Sequence, residues 1–484
     1  MSVKVLFTHS YFLRFDPKQW DLQMPYPPLG TIYAAALLRE NGHEVALFDS
    51  MFAHRAEDVL PHLDSFEPDA LVIYDDGFNY LTKMCLTNMR EAAFKMSQYA
   101  KERGCKVVCC SSDSTDHFEK YLAHGADVVI RGEGEMGLLE LVSKWSNDLN
   151  DLENVFGIAY TSLGQVTETR KRPVLRDLDS LPPPAWDLIE IAPYHNAWKD
   201  KGYFSINMAT TRGCPYKCNW CAKPIYGNRY NSHSPEGKAD ELAFLVKEFG
   251  VDHIWFGDDI FGLKPGWVQR FADAVEERGI NVRFKIQSRA DLLLKDDTIE
   301  ALARAGCEEV WLGAESGSQK ILDAMDKGIT IDQIHESRRK LKKHGIRTAF
   351  FLQFGYLGET QDDIQATFKM LAETMPDDIG VSVSYPLPGT AFYDKVKADL
   401  SDKTNWTDSD ELALMFRNNH SPEYYKRLHR YVHKYFRKLQ SYESWGKLLR
   451  FSPDKGDIRR AASIAYYIPA AFMESQRLKR LIHA

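Results

Sequence analysis

The chain of 484 residues, 44% apolar and 27% charged, reads as a folded water-soluble protein of roughly two to four domains, which excludes a disordered or fibrous chain. Its 8 scattered cysteines and the absence of a basic-then-apolar leader argue against a disulfide scaffold or a secreted precursor, so a reducing, cytoplasmic location is expected. The longest apolar runs, such as IYAAALL after Thr31, fall far short of the roughly 20 residues that cross a bilayer. The net charge of −7 is unevenly spread: Ser421 to Ala484 holds 14 Lys and Arg against 5 Asp and Glu, a surplus of 9 cations, which leaves −16 on Met1 to His420. An acidic body with a basic tail is a sign asymmetry that marks contact with anionic surfaces or substrates.

Residues 1–150 alternate β-rich and helical runs: VKVLFTH, TIYAAALLRENG, EVALFD, ALVIYDD, MCLTNMREAAFKMSQYAKERG, KVVCCSS and DVVIRGEGE. The alternation predicts a doubly wound, Rossmann-like parallel sheet, whose ligand sits at the carboxyl ends of the strands. Those ends are polar and glycine-bearing, namely FTHSY, FDSM, YDDG, CCSSD and RGEGE. The long stretch FLRFDPKQWDLQM, Phe12 to Met24, lies at the same end and is expected to shape a pocket. Residues 151–198 read as a connector, with a hairpin-like VFGIAYTSLGQVTE followed by DLDSLPPPAW, whose three prolines continue neither a helix nor a central strand.

A second alternating series fills residues 199–398, with strands expected at FSINMATT, HIWFGDD, RFKIQSR, EEVWLGAES, RTAFFLQFGY and IGVSVSYP. Six βα units suggest a partial (β/α)6 barrel of the TIM type, with chemistry on the loops after the strands. Residues 399–484 read as a basic, helical C-terminal region. Ser421-Pro422 supplies a helix start, and Tyr425, Leu428, Val432, Tyr435 and Leu439 then recur at helical spacing.

The first strand of the second series runs into TTRGCPYKCNWCAK, which places Cys214, Cys218 and Cys221 within eight residues. A structural zinc site closes with four ligands, usually as two separated pairs, and no second pair is present. Cys85, Cys105, Cys109, Cys110 and Cys307 read as small core residues. A four-iron cluster takes one thiolate per iron, so three thiolates leave one iron open.

The Cys-x3-Cys-x2-Cys loop after the first strand of a six-unit series resembles the radical S-adenosylmethionine (SAM) enzymes. That resemblance implies that Cys214, Cys218 and Cys221 hold a 4Fe-4S cluster whose open iron chelates SAM, and that the reduced cluster cleaves SAM to a deoxyadenosyl radical. Trp220 matches the aromatic position beside the adenine. WFGDD stands where the family carries Gly-Gly-Glu, which gives Asp258 the methionine amino group. Ser288 and Arg289 of QSRAD match groups facing the ribose or carboxylate. Glu315 and Ser316 of WLGAESGSQKILDAMDKG match the fourth-strand motif, and Gly355 of FGYLGET lies at the adenine.

The first domain resembles the cobalamin-binding domains of the same superfamily. The resemblance rests on YPPLG, which includes Pro28, Leu29 and Gly30, and on RGEGE, which includes Gly132, Glu133, Gly134 and Glu135. Glycines there allow close backbone approach, and Glu133 offers an acceptor for the ligand's amides. The Gly-x-Gly-x-x-Gly loop of a dinucleotide site is absent after the first strand. The Asp-x-His-x-x-Gly motif is absent too: after Asp49, Met51 occupies the histidine position and His54 is out of register, so no protein histidine on cobalt is expected.

Together these matches imply a cobalamin-dependent radical SAM methyltransferase acting on an unactivated carbon. In the family's chemistry one SAM methylates cobalt(I), a second yields the radical, and the substrate radical collects the methyl group. A cyclase or rearranging enzyme of the anaerobic tetrapyrrole ring-forming type keeps the same cofactors, and a non-catalytic cobalamin sensor is the third reading. The expected partners are a small-molecule substrate of lipid or tetrapyrrole character and a low-potential donor such as flavodoxin or ferredoxin, with no nucleic acid. The basic C-terminal region adds peripheral membrane contact to the expectation.

Overall fold

The computed structural model describes residues 2–83, 86–147, 151–401, 405–451 and 456–482; Cys85 lies outside them. Five strands of the first sheet are parallel: β1 (Lys4–Thr8), β2 (Glu44–Phe48), β3 (Ala70–Tyr74), β4 (Lys106–Cys110) and β5 (Val128–Ile130). Their spatial order is β2-β1-β3-β4-β5, the flavodoxin-like arrangement whose ligand crevice opens between the ends of β1 and β3. The inner strands read as unbroken apolar runs because helices cover both faces, and β3, ALVIY, is buried throughout. The helix Leu29–Glu40 is buried from Leu29 to Leu38, which explains why its sequence is apolar almost all round.

One difference from the sequence reading concerns the connector. Its hairpin, β6 (Ile158–Ser162) and β7 (Gln165–Glu168), joins the first sheet antiparallel to β5. The turn between them places Leu163 and Gly164 at φ 49° and 79°, the left-handed pair of a tight two-residue hairpin. The physical reason is the edge: β5 has only three residues and would otherwise expose unpaired backbone. The prolines of the connector follow β7.

The six strands expected in the second series are all present: β8 (Ser205–Met208), β11 (His253–Phe256), β12 (Arg283–Ser288), β13 (Cys307–Glu315), β14 (Arg347–Phe354) and β15 (Asp378–Val383). They form an open parallel sheet in chain order, β15-β14-β13-β12-β11-β8, the strand sequence of a partial barrel. Two short strands, β9 (Thr211–Arg212) and β10 (Asn231–Ser232), pair antiparallel at the base of the cysteine loop.

The chain divides into two compact units. The first comprises 1–215, 222–286 and 405–411, and the second 216–221, 287–404 and 412–484. The first unit thus groups β8, β11 and most of β12 with the N-terminal sheet. Within the first unit, Asn207 of β8 donates to the Pro27 carbonyl at 3.0 Å, and Tyr26 lies against Trp255 of β11 with ring centroids 4.8 Å apart. In the second unit, helices Pro422–Leu449, Asp457–Ala462 and Ile464–Ile482 form the C-terminal bundle. No helix among the described residues is long and apolar enough to cross a membrane.

Candidate functional site

The first unit carries the entry to the cysteine loop. Asp258, at the end of β11, is fully buried and accepts from the Thr210 amide, the Thr210 hydroxyl and the Thr211 amide, each at 2.7 Å. Burial pushes its carboxyl up to about 6 against these bonds. The residue matched to the SAM amino group therefore fastens β11 to the chain entering the loop. Gly213 follows at φ 78°, and a Cβ there would lie 2.4 Å from the Arg229 carbonyl oxygen, so only glycine fits directly before Cys214.

Arg212 is a buried residue of this loop that sequence reasoning missed. Its guanidinium is 2% exposed and donates to Glu133 at 2.5 Å and to Glu135 at 2.7 Å. Tyr33, Phe78 and Tyr226 surround it with ring centroids between 5.5 and 5.8 Å away. Glu133 also accepts from the Leu175 amide. Burial first, and then the neighbouring Glu135, raise the Glu133 carboxyl above its ordinary range. Two carboxylates facing one guanidinium leave this buried cluster with an uncompensated negative charge when both are ionised. The available signal was an arginine inside the apolar first strand-end, immediately before Gly-Cys.

The glycines of the same loop are also occupied by protein. A Cβ on Gly134 would lie 2.5 Å from the Cys110 sulfur and 2.7 Å from the Tyr74 ring, and one on Gly132, at φ 93°, would meet the Ile225 carbonyl at 3.4 Å. Pro28, Leu29 and Gly30 are buried, and the Gly30 amide donates to Asp76 at 3.1 Å. Among the described residues, one oxygen each of Asp76, Glu135 and Asn207 is buried with no donor, and the Nε–H groups of Arg131 and Arg212 are buried with no acceptor. Asp76 stands at the β1/β3 crevice, and burial pushes its carboxyl up to about 6. Acceptors without donors fit a ligand rimmed with amide N–H groups, as cobalamin is.

The second unit carries the tip of the loop. Asn219 has every polar group engaged: its amide donates to the Met325 carbonyl and its carbonyl accepts from Phe392. Its side chain donates to Ala324 and Asp326 at 2.8 Å and accepts from the Tyr356 hydroxyl at 2.7 Å. Arg289 stacks 3.7 Å above the Tyr216 ring, pairs with Asp291 at 2.9 Å and reaches the Cys218 sulfur at 3.9 Å. Ser288, the last residue of β12, is buried.

Glu315 has φ 60° beside a register shift in β13, and it accepts from Lys327 at 2.7 Å. Lys327 in turn lies 5.9 Å from the Trp220 ring. Ser316 bonds the Ser318 amide and the Thr367 hydroxyl, so it shapes the loop after β13. The Gly355 amide donates to Glu359 and its carbonyl accepts from Asn418, while the Tyr425 ring packs against it.

Cys214, Cys218 and Cys221 are half-buried and in no disulfide, whereas Cys105, Cys109, Cys110 and Cys307 are buried. Burial pushes the Cys109 thiol up to about 12, which makes it a poor ligand. Among the described residues no three His, Cys, Asp or Glu converge on one point as a single ion requires. A cluster with one thiolate per iron makes no such demand. The indole N–H of Trp220, between the second and third cysteines, is buried with no acceptor among the described residues. Three accessible thiols and an orphaned donor beside them fit a cluster with a bound cofactor.

Residues 208–371 match the family model described as the Radical SAM superfamily. Over this stretch the chain carries a radical SAM domain, and the protein is an enzyme. It is 28% identical over 374 residues to an uncharacterised methyltransferase of Pyrococcus horikoshii, covering 76% of this chain and 78% of the relative. It is also 28% identical over 418 residues to the anaerobic magnesium-protoporphyrin IX monomethyl ester cyclase of Rubrivivax gelatinosus, covering 84% and 72%. Among solved structures, the radical SAM methyltransferase TsrM of Kitasatospora setae, with cobalamin and a [4Fe-4S] cluster bound, superposes with a TM-score of 0.68 at 17% identity. That match covers 82% of this chain and 75% of TsrM.

Proposed function

We propose that this protein is a cobalamin-dependent radical SAM methyltransferase that methylates an unactivated carbon of a small hydrophobic or anionic molecule. The observation that carries the reading is the joint presence of two sites in one chain. One is a flavodoxin-like sheet whose strand ends bury oxygens of Asp76 and Glu135 with no donor among the described residues, and the other is a three-thiol loop after the first strand of a radical SAM domain.

In this reading Cys214, Cys218 and Cys221 hold the cluster. Trp220, Ser288 and Arg289 border SAM, with Arg289 also shielding the Cys218 sulfur. Asp258, Glu315, Ser316 and Gly355 set the backbone that SAM meets. Pro28 to Gly30 and Gly132 to Glu135 frame the cobalamin end of the first sheet, where Asp76 accepts from amides. When bound, the cluster supplies the electron for SAM cleavage and cobalamin supplies the methyl carrier. The remaining partners are a low-potential donor such as flavodoxin or ferredoxin and a lipid or tetrapyrrole substrate, in the cytoplasm and at its membrane face.

A second reading, a ring-forming or rearranging enzyme, is favoured by the Rubrivivax cyclase, which aligns over more of the chain than the Pyrococcus methyltransferase at the same identity. One experiment separates the two. The protein is reconstituted anaerobically with iron, sulfide and cobalamin, reduced, and given SAM without substrate. Methylcobalamin with S-adenosylhomocysteine, measured by mass spectrometry, is the expected product. Deoxyadenosine alone from cobalamin-loaded protein would favour the cyclase.

A further inference from the structure

The C-terminal bundle exposes a surface that the catalytic reading does not use. Helix Ile464–Ile482 buries Ala470, Ala471, Glu474 and Leu478, a single stripe against the helix Pro422–Leu449. On the opposite side Tyr466, Phe472 and Met473 are exposed. At the corner where Pro422–Leu449 turns into Asp457–Ala462, Leu449 is 74% exposed, Phe451 93% and Ile458 73%. Single exposed apolar residues are ordinary on a protein surface, but nine large ones on one small bundle, with Tyr442, Trp445 and Ile468 added to those six, are not.

The charge around them is predominantly positive, with Glu423 and Glu443 on the helix Pro422–Leu449 paired to Arg427 and Lys342. Arg450, Arg459, Lys479 and Arg480 are exposed and make no ion pair among the described residues. The carboxylates that interrupt the run, Asp457 and Glu474, are 1% and 4% exposed and already paired, Asp457 with Arg460 and Glu474 with Lys434. A polar cavity of about 430 Å³ opens beside the same corner, with five cations, Arg338, Lys342, Arg347, Lys447 and Arg460, on its wall against three carboxylates, Asp377, Glu443 and Asp457.

We propose that this bundle is a membrane-docking surface that seats on an anionic lipid bilayer. Leu449, Phe451, Ile458 and Phe472 enter the headgroup layer, and the unpaired cations meet lipid phosphates. Unpaired cations beside exposed aliphatic and aromatic side chains match an interfacial amphipathic element, which lies on a membrane and does not span it. A second copy of the chain would bring like charges together across the same face, which disfavours self-association there. The inference is independent of the reaction catalysed.

Flotation of the full-length protein with phosphatidylcholine vesicles, with and without about one third phosphatidylglycerol, tests it. Binding is expected only to the anionic vesicles and is lost in high salt. Arg459→Glu and Lys479→Glu should each weaken binding by at least roughly fivefold. Phe451→Ser with Phe472→Ser should abolish most of it while circular dichroism and thermal unfolding stay unchanged, because both side chains already face solvent. Absence of vesicle binding overturns the proposal, as does binding insensitive to all four substitutions. A dimer in sedimentation that these substitutions dissolve, without vesicle binding, would assign the face to self-association and overturn it as well.

Discussion

The two strand-end loops that stand out in the sequence, Arg131 to Glu135 after β5 and Cys214 to Cys221 after β8, are held in opposite ways. In the first, Glu133 and Glu135 turn to a buried guanidinium and Gly134 is packed against Cys110 and Tyr74. In the second, the backbone is anchored through Thr210, Thr211 and Asn219, while the three thiols stay half-buried. A charged residue at a strand end states only that something must compensate it, and the protein itself can do so. A set of soft donors at fixed spacing specifies its ligand far more narrowly.

This contrast can be broken at each loop, and the largest effect belongs to the buried charge. Arg212→Met leaves Glu133 and Glu135 buried without their cation and should destabilise the protein by about 3–5 kcal/mol in urea unfolding. Glu133→Gln keeps one carboxylate on one guanidinium and should cost much less. Equal losses from the two substitutions would show that the cluster does not act as a charge-balanced unit.

An intermediate effect is expected at the loop tip. Asn219→Ala strands the partners of a side chain that bonds Ala324, Asp326 and Tyr356, at a cost of about 1–3 kcal/mol. The same change should lower iron incorporation, because the chain between Cys218 and Cys221 loses its anchor. Full iron content in Asn219→Ala would assign the residue to folding alone.

A comparable effect, read through pH, comes from Asp258. Burial raises its folded carboxyl to about 6, above the ordinary 3.8, so between these values the folded chain binds more protons than the unfolded one. Stability from this group is therefore highest at low pH and falls, by up to about 3 kcal/mol, as pH rises from about 4 to about 7. Thermal unfolding across that range should lose this component of its slope in Asp258→Asn.

Most of the fold was legible because parallel strands buried on both faces leave continuous apolar runs, such as ALVIY and FSINM, and because helices between them carry caps like Ser234 before Pro235. The hairpin after β5 was legible as a hairpin, but its pairing partner was not, since an edge strand's need for cover depends on what else the sheet contains. The thiol loop was read from its spacing together with its place after the first strand of the second series. The ion cluster of Arg212 was not, because Glu133 lies 79 residues away in sequence and a charged side chain in a strand carries no record of its partner. Asn219 was hidden for a similar reason, as its neighbours Asp326 and Tyr356 are brought to it only by the fold.

The central claim is that three thiolates leave one iron open to SAM, and electron paramagnetic resonance of the reduced, reconstituted protein tests it most directly. The account predicts about four irons per chain, a reduced-cluster signal that changes when SAM is added, and loss of that signal in Cys218→Ala. A protein that binds one zinc and no iron, or a cluster signal indifferent to SAM, would contradict it.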